Sequence, residues 1–444
     1  MNDIPNAALK SMKILNDAGY EAYLVGGCIR DLLMKRSPKD YDITTNALPE
    51  EMKVIFKDYQ IIPTGLQHGT MTIIIDKLPL EITTFKSNSN EYIDDKQIKY
   101  GRDLKEDLSC RDFTINALAM DINNEIFDYF GGKADIENRI IRCVNSPILR
   151  LKEDGLRILR ALRFAAVFNF AIDDETSKAI KENKSLLKGM AVERINVELT
   201  KLICGKNARQ ILEQYQDIIT VIIPELKPMI GFKQFNKHHC YDVWQHTLIV
   251  LENSSATPVM RWSALLHDIG KPECFNKDEN GVGHFYQHEI ESTRIASEIL
   301  ERLKFDNKSK DIILKLIKNH MDEIIPTKKI VKRRLSKYGE DIFRQILELK
   351  KADIMGQAEK YQNRLLEIEN VYQIMEEIIL AGACLSISDL NINGNDLIEL
   401  GYQGKEIGEI LNNLLDNVID DRLENDKEEL VLFIKEKYNK EGVS

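Results

Sequence analysis

A chain of 444 residues with 43% hydrophobic content is long enough for two to four domains with real cores, and too apolar to be disordered over most of its length. No apolar run approaches the ~18 residues of a membrane helix, the N-terminal MNDIPNAALK lacks a signal pattern, and seven scattered cysteines without a C-x-x-C pair argue against a disulfide framework or a zinc ribbon, so a cytoplasmic, non-membrane protein with reduced thiols is expected. The formal charge of −10 weighs against a nucleic-acid partner, yet binding needs only a local basic stripe; Arg157, Arg160 and Arg163 offer one, Lys328, Lys329, Lys332, Arg333 and Arg334 another, and each is equally a solvated helix face.

The stretch YLVGGCIRDLLMKRSPKDYDITT (23–45) organises the N-terminal part. Tyr23 to Val25 reads as a short strand, Gly26-Gly27 as the turn after it, and a helix begins near Cys28. Paired glycines let the backbone approach an anion, the first helical N–H groups point at it, and Arg30 is placed to add a charged fork. Lys39 to Thr45 reads as a second strand whose Asp40 and Asp42, two apart, share a face and can hold Mg²⁺. Separately these are a turn and a solvated strand end; in this order they supply the phosphate cradle and metal seat that nucleotidyl transfer from a triphosphate requires. GGCIRDLL followed by KDYDITT resembles the head of the tRNA nucleotidyltransferase (CCA-adding enzyme) and bacterial poly(A) polymerase family, whose catalytic core is similar to that of DNA polymerase beta.

PTGLQHGTMTIIID (63–76) reads as a turn into a β-branched strand and LPLEITTF (78–85) as its neighbour, with Glu81, Thr83 and Phe85 on one face. Glu81 is either a solvated strand residue or a third carboxylate, the role that the resemblance implies for a glutamate in an E-x-T-T-F strand. The polar, aperiodic 86–107 stretch resembles the family's flexible loop, which helps switch from CTP to ATP, and is a few residues shorter. DLSCRDFTINALAM (107–120) resembles the ribose-recognition motif, with Cys110 where the family has its first arginine; Arg111 and Asp112 remain, as a ribose-binding pair or a structural salt bridge. EIFDYFGGKADIENRIIR (125–142) ends the sheet at a Gly131-Gly132 turn.

From Pro147 the pattern is helical. Asp154 and Arg157, three apart, are expected on one helix face, as an ordinary ion pair or as an acceptor and donor that accept the amino and ring-nitrogen edges of cytosine and adenine. The resemblance to the family's E-D-x-x-R base-recognition motif favours the second reading and adds Arg160 and Arg163 as nucleotide-binding candidates. Arg194 and Glu198 in VERINVELTKLI (192–203) are expected as an i,i+4 pair.

Seven of the eight histidines fall between His238 and His320. His246 in VWQHT, His267-Asp268 in LLHDIGKP and Asp353 in KKADIMG reproduce the order of an HD phosphohydrolase, and His288 and His320 are spaced as in HD proteins that hold a second metal. Imidazole with carboxylate suits Mn²⁺, Fe²⁺, Ni²⁺ or Zn²⁺ better than Mg²⁺. Lys271 could meet a substrate phosphate. The alternative is an HD fold kept as scaffold. The tail from Ser388 to Ile419, punctuated by Gly394, Gly401, Gly404 and Gly408, resembles the family's tRNA-contacting end.

The expected fold is α+β, a polymerase-beta-like head (1–140) followed by a helical neck and body (141–230), an HD domain (231–365) and a helical tail (366–444). The expected function is template-independent addition of C and A to tRNA 3′ ends from CTP and ATP. Asp40, Asp42 and Glu81 would be catalytic with Mg²⁺, and a Ni²⁺- or Mn²⁺-type HD hydrolase would be a second activity. The narrower alternatives are an A-only adder or a poly(A) polymerase; the alternative of another class is an HD hydrolase with a non-catalytic nucleotide- or tRNA-binding head. A monomer or homodimer fits either.

Overall fold

The computed structural model describes residues 4–62, 69–87, 100–101, 103–236 and 240–438. The turn expected at 63–68, most of the 86–107 loop, and His238 and His239 lie outside the described residues. The chain divides into two compact units, Met1–Ile222 and Ile223–Ser444.

In the first unit, seven strands, β1 (Ala22–Val25), β2 (Asp42–Thr45), β3 (Gln60–Ile62), β4 (Thr70–Ile75), β5 (Leu78–Thr84), β6 (Leu118–Met120) and β7 (Ile126–Asp128), form one sheet in the order β3-β4-β5-β2-β1-β6-β7. β2 and β5 run parallel, while the other neighbours are antiparallel. Period-two alternation decides which face is covered: Met71, Ile73 and Ile75 of β4 and Leu80 and Ile82 of β5 are buried, whereas Glu81 is exposed. Helix Asn6–Asp17 turns Ala8, Met12 and Leu15, spaced by one helical turn each, into that core. Truncating such a residue to Ala costs about 2–5 kcal/mol.

Beyond the sheet the unit is mostly helical, its helices including Pro147–Glu153, Leu156–Phe168 and Val192–Ile203, with a two-stranded parallel ribbon of Ile140–Ile141 and Ala171–Ile172. The expected boundary near residue 140 is not a break between compact units, for a packing reason. Phe164 stands edge-on to Phe113, and Phe168 lies under the Arg30 guanidinium at 4.6 Å, so the long helix shares the core of the head.

The second unit is helical apart from a hairpin, Phe275–Lys277 with Gly283–Phe285. Helices Val243–Asn253, Pro258–Leu266, His288–Arg302, Asn307–Asn319 and Glu340–Met355 carry His246, His267, His288, His320 and Asp353, within them or just beyond their ends. The tail has its own apolar cluster, including Leu397, Leu414, Leu430 and Ile434, built from helices Gly394–Glu399, Lys405–Ile419 and Lys427–Tyr438. Among the described residues no helix is long and apolar enough to cross a membrane.

The cations of helix Lys328–Tyr338 are paired within the chain. Arg333 forks onto Asp420 with both contacts at 2.8 Å, Lys329 and Lys332 reach Asp420 and Asp421, Arg334 reaches Asp322 and Lys328 reaches Glu377. This basic run therefore has the character of an ion-paired helix face rather than an uncompensated stripe.

Candidate functional site

Strand register assembles the first candidate site. Val25 lies opposite Asp42 in the antiparallel β1–β2 pair, and Asp42 lies beside Glu81 in the parallel β2–β5 pair. The Gly26-Gly27 turn, which directly follows Val25, is thereby brought to the end of β2 that carries Asp42. Asp40 does not share the strand, as the sequence pattern had it, because β2 begins at Asp42; Asp40 stands exposed in the approach loop two residues earlier. Asp42 is also accessible, yet enough protein surrounds its carboxylate that desolvation, then the Glu81 charge, raises its pKa, with Arg111 opposing and Asp40 adding to the rise. Asp42 thus feels both neighbouring charges, and among the described residues the three carboxylates do not form a group whose ligand atoms all lie within 4.8 Å of one another.

Gly26 adopts φ +75°, and a Cβ there would meet Arg111 Nη1 at 2.8 Å, so only glycine suits the turn. Arg111 lies against Gly26 while its Nη2 donates to Asp107 at 3.2 Å, and its charge acts on Asp42; beside Gly27 the neighbouring cation is Arg30. Arg30 is placed differently from the expected phosphate fork. It is buried, donates to Asn116 Oδ1 at 2.6 Å and to Asp31, and stacks on Phe168. Cys110 caps helix Leu104–Ser109, and burial, then Asp107, pushes its thiol up to about 11, so it carries no charge in place of the arginine it replaces.

The expected base-reading residues are all engaged with protein groups. Asp154 and Arg157 do not lie on one helix: the first helix ends at Asp154, the next begins after Gly155, and Asp154 Oδ1 accepts from Leu156 N at 3.0 Å. Its other oxygen takes Arg194 Nη2 at 2.8 Å. Arg194 therefore pairs with Asp154 rather than Glu198, which is buried against Arg163 (3.1 Å) and Arg160 (3.7 Å). Arg157 donates to Glu153 at 2.7 Å, to the Arg150 carbonyl at 2.9 Å and to the Cys110 carbonyl at 3.2 Å. Asp112 accepts from Arg160 Nε at 2.7 Å, Asn116 Nδ2 at 3.0 Å and Phe113 N at 2.9 Å. Burial works against its charge, but Arg160 and then Asn116 hold its pKa below the usual carboxylate range. Asn116 thus links Arg30 to Asp112; a lone amide inside TINAL gives no sequence signal for that.

The second site is buried. His246, His267, Asp268, His288 and His320 are each at most 4% exposed. Every imidazole has its Nδ1 on a main-chain carbonyl: His246 on Gly356 at 3.0 Å, His267 on Ala264 at 2.8 Å, His288 on Phe285 at 2.8 Å and His320 on Ile317 at 2.6 Å. Since a carbonyl only accepts, each Nδ1 carries the proton and each Nε2 is left to ligate, the arrangement by which second partners orient metal-binding histidines. The Nε2 atoms converge on Asp268 and Asp353, with His246 at 2.9 Å from Asp353 and His267 at 3.2 Å from Asp268. His267 Nε2 is buried with no hydrogen-bond partner, which fits a donor set built for a cation. Asp268 raises the His267 pKa against the effect of burial, whereas burial, then the His267 and His288 charges, pushes His320 down to about 3. A cavity of about 1130 Å³ opens on Asp268, Asp353, His288 and His320. Lys271, also lining it, is fixed between Asp268 at 2.7 Å and Gln234 at 3.0 Å, and half-exposed Phe235 and Tyr241 stand at its rim.

Three family models match: the poly A polymerase head domain at 22–142, the RNA and SrmB-binding site of polymerase A at 169–230, and domain 2 of tRNA nucleotidyltransferases at 285–434. The CCA-adding enzyme of Lactobacillus helveticus is 31% identical over 98% of this chain and 99% of its own length. The chain belongs to the CCA-adding enzyme family. The CCA-adding enzyme of Staphylococcus saprophyticus is 32% identical over 98% of this chain and 99% of its own. The crystal structure of the Bacillus stearothermophilus CCA-adding enzyme in complex with CTP has a TM-score of 0.71 at 28% identity, covering 97% of each chain. As a CCA-adding family member the chain is a tRNA nucleotidyltransferase with a polymerase-beta-like head, and its reaction is template-independent CCA addition, as the sequence led us to expect.

Sequence reasoning missed several residues of the second site. Lys350 donates to the His320 carbonyl at 2.9 Å and lies one helical turn before Asp353, a spacing that could have marked it. Gly356 lies so close to His246 that a Cβ would sit 2.7 Å from Nδ1. Gln234 and Phe235 come from an irregular segment with no signal of its own.

Proposed function

We propose that Asp40, Asp42 and Glu81 hold the Mg²⁺ of the addition reaction, and that tRNA, CTP and ATP are its substrates. The supporting observation is the register that sets Asp42 beside Glu81 and opposite the residue before the glycine turn. Bound there, Mg²⁺ would neutralise triphosphate charge and favour the ionised terminal hydroxyl. The chain's own groups position the reactants. The Gly26-Gly27 turn and Arg111 face the triphosphate, the tRNA 3′ oxygen forms its bond to the α-phosphorus, and pyrophosphate leaves with the electrons of the broken P–O bond. Asp154 and Arg157 select C and A, which requires the nucleotide to displace Arg194 and Glu153 from them. The solved complex of a related CCA-adding enzyme with CTP supports this choice of nucleotide. Incorporation of labelled CTP and ATP, separately and together, into tRNA lacking one, two or three terminal nucleotides tests it: each acceptor should stop at CCA.

A second activity is favoured by the four Nδ1-anchored histidines around Asp268. We infer that this cluster is a hydrolase centre for phosphomonoesters or 2′,3′-cyclic phosphates that uses a transition metal such as Ni²⁺ or Mn²⁺. Lys271 at the cavity floor would meet the phosphate. Hydrolysis of both ester classes by the metal-loaded chain is the direct assay; no turnover of either would refute the inference.

A further inference from the structure

The cavity over the histidine cluster has a wall that the cluster itself does not explain. Phe235 adopts φ +50°, a left-handed backbone conformation that an aromatic residue enters only under constraint. The constraint comes from both sides. Its carbonyl accepts from Gly283 N at 2.8 Å, while the side chain of Gln234, 2% exposed, accepts from Lys271 Nζ at 3.0 Å and donates to the Tyr241 carbonyl at 3.2 Å. Gly283, in the hairpin, approaches so closely that a Cβ there would run into the Gln234 carbonyl oxygen. Backbone is thus pinned against backbone, yet the ring that follows is not buried: Phe235 stays 49% exposed on the cavity wall. Straining a residue to leave its apolar ring half in water does nothing for the core, and outliers of this kind cluster where a ligand is held.

Size, connection and charge indicate what the ring meets. The cavity, about 1130 Å³, is far larger than a phosphate group needs and is on the scale of pockets that enclose whole small molecules, about 300–1,000 Å³. Lys271 Nζ touches Gln234 on one side and Asp268 Oδ2, at 2.7 Å, on the other, so a single lysine joins the segment that carries Phe235 to the cluster. The Lys277 ammonium lies 4.3 Å from the Phe235 ring centroid, which pairs the platform with a cation of its own. An aromatic face beside lysines is the combination that stacks a nucleobase while attracting its phosphate. An ester without a base would use the cations and leave the ring in water.

We propose that Phe235 is a base-stacking platform, and that the substrate of this cavity is a nucleotide, free or at the end of an RNA strand, with its phosphate at Lys271 and its base on the Phe235 ring. The inference rests on the hydrolase reading of the cluster and names the substrate class of that site. In hydrolysis of a 2′,3′-cyclic phosphate, water oxygen bonds to phosphorus, one of the two P–O bonds to the sugar breaks, and the departing sugar oxygen takes one of the water protons. Every base has a π-face, so stacking here selects for the presence of a base rather than among bases.

The full chain, loaded with Mn²⁺, is assayed on cytidine and adenosine 2′,3′-cyclic phosphates, on a short RNA ending in the same group, and on methyl riboside 2′,3′-cyclic phosphate, which lacks a base. Both nucleotides are expected to exceed the base-free ester in kcat/KM by about tenfold or more, the scale of one stacked base. Phe235→Ala should remove that margin by raising KM with kcat little changed, and Phe235→Trp should restore it. Phe235→Leu keeps apolar bulk without an aromatic face; it should behave as the alanine variant does, and it serves in its place if that variant does not fold. Whichever of the RNA and the free nucleotides has the higher kcat/KM is the source of the base, and Phe235→Ala should lower that value. Equal kcat/KM on nucleotide and base-free ester, or a margin that survives Phe235→Ala or Phe235→Leu in a folded chain, overturns the stacking inference and leaves the hydrolase standing. No turnover of any of these esters overturns the hydrolase reading itself.

Discussion

The two proposed metal sites, in the head and in the histidine cluster, are built in opposite ways. In the head, the proposed ligands are carboxylates on strand ends and a loop, accessible to solvent, and the Glu81 and Asp40 charges work against that of Asp42. In the cluster, four imidazoles and Asp268 are buried, and each ring has its tautomer fixed by a carbonyl. The contrast matches the metals proposed for them. Mg²⁺ keeps several waters and is completed by substrate phosphate, so its protein ligands need only be near and negative. A transition ion is gripped by nitrogen ligands whose direction matters, and that direction requires a second ring of partners. One site forms with its substrate, while the other is made by the fold.

The largest effects should separate the two. Asp42→Ala is expected to slow C and A addition by at least ~10³-fold, about 4 kcal/mol of transition-state stabilisation. Phosphoester hydrolysis and the melting curve should be nearly unchanged. Addition at near-normal rates would show that the carboxylates of the head are not the metal seat. Conversely, His267→Ala should abolish hydrolysis without altering addition under Mg²⁺; loss of addition by a still-folded variant would end the claim of independence. Chelation followed by desalting gives the same contrast without mutation. Addition should return at once when Mg²⁺ is supplied, whereas hydrolysis should need Mn²⁺ or Ni²⁺.

Arg157→Ala is expected to have an intermediate effect. Discrimination against UTP and GTP should fall by roughly 10–100-fold, the scale of a lost bidentate reader. Because Arg157 also ties Glu153 and two carbonyls together, Glu153→Gln is the control that loosens the same cluster without removing the reader. Equal preference among the four nucleotides in both variants would mean that packing, not reading, is what Arg157 supplies.

What was legible in the sequence follows the same division. Strand and helix periods placed β5 and helix Val192–Ile203, since burial of one face dictates those patterns. The order of the histidines and Asp353 along the chain led us to expect them as a group, and the fold brings His246, His267, Asp268, His288 and His320 together. Pairing partners were not legible. Asp154 and Arg157 look like helix neighbours until Gly155 breaks the helix, and Arg30 looks like a phosphate fork until Phe168 and Asn116 arrive from distant segments to cover it. Long charged side chains take whichever partner the tertiary fold brings, and spacing along one element cannot reveal it.

The smallest predicted effect concerns stability, and it tests whether the head keeps its site at a cost. Burial and the Glu81 charge raise the Asp42 pKa in the folded chain. A carboxyl with a raised folded pKa favours folding below its unfolded value of about 4, and that contribution is lost as pH rises through the folded value. At pH 7 the charged Asp42 therefore opposes folding. Removing the charge while keeping the shape, Asp42→Asn, should raise the melting temperature of the metal-free chain. The gain should stay below about 1 kcal/mol, because the group is accessible and solvent screens its repulsion, which amounts to at most about 2–4 °C for a unit of this size. Mg²⁺ should reverse the order. By binding the charged pair it stabilises the wild type through mass action and leaves the Asn variant where it was. Calorimetry with and without Mg²⁺ separates the outcomes: a variant that melts below the wild type in the absence of metal would mean that Asp42 is held for structure, and that the register beside Glu81 is not a site under tension.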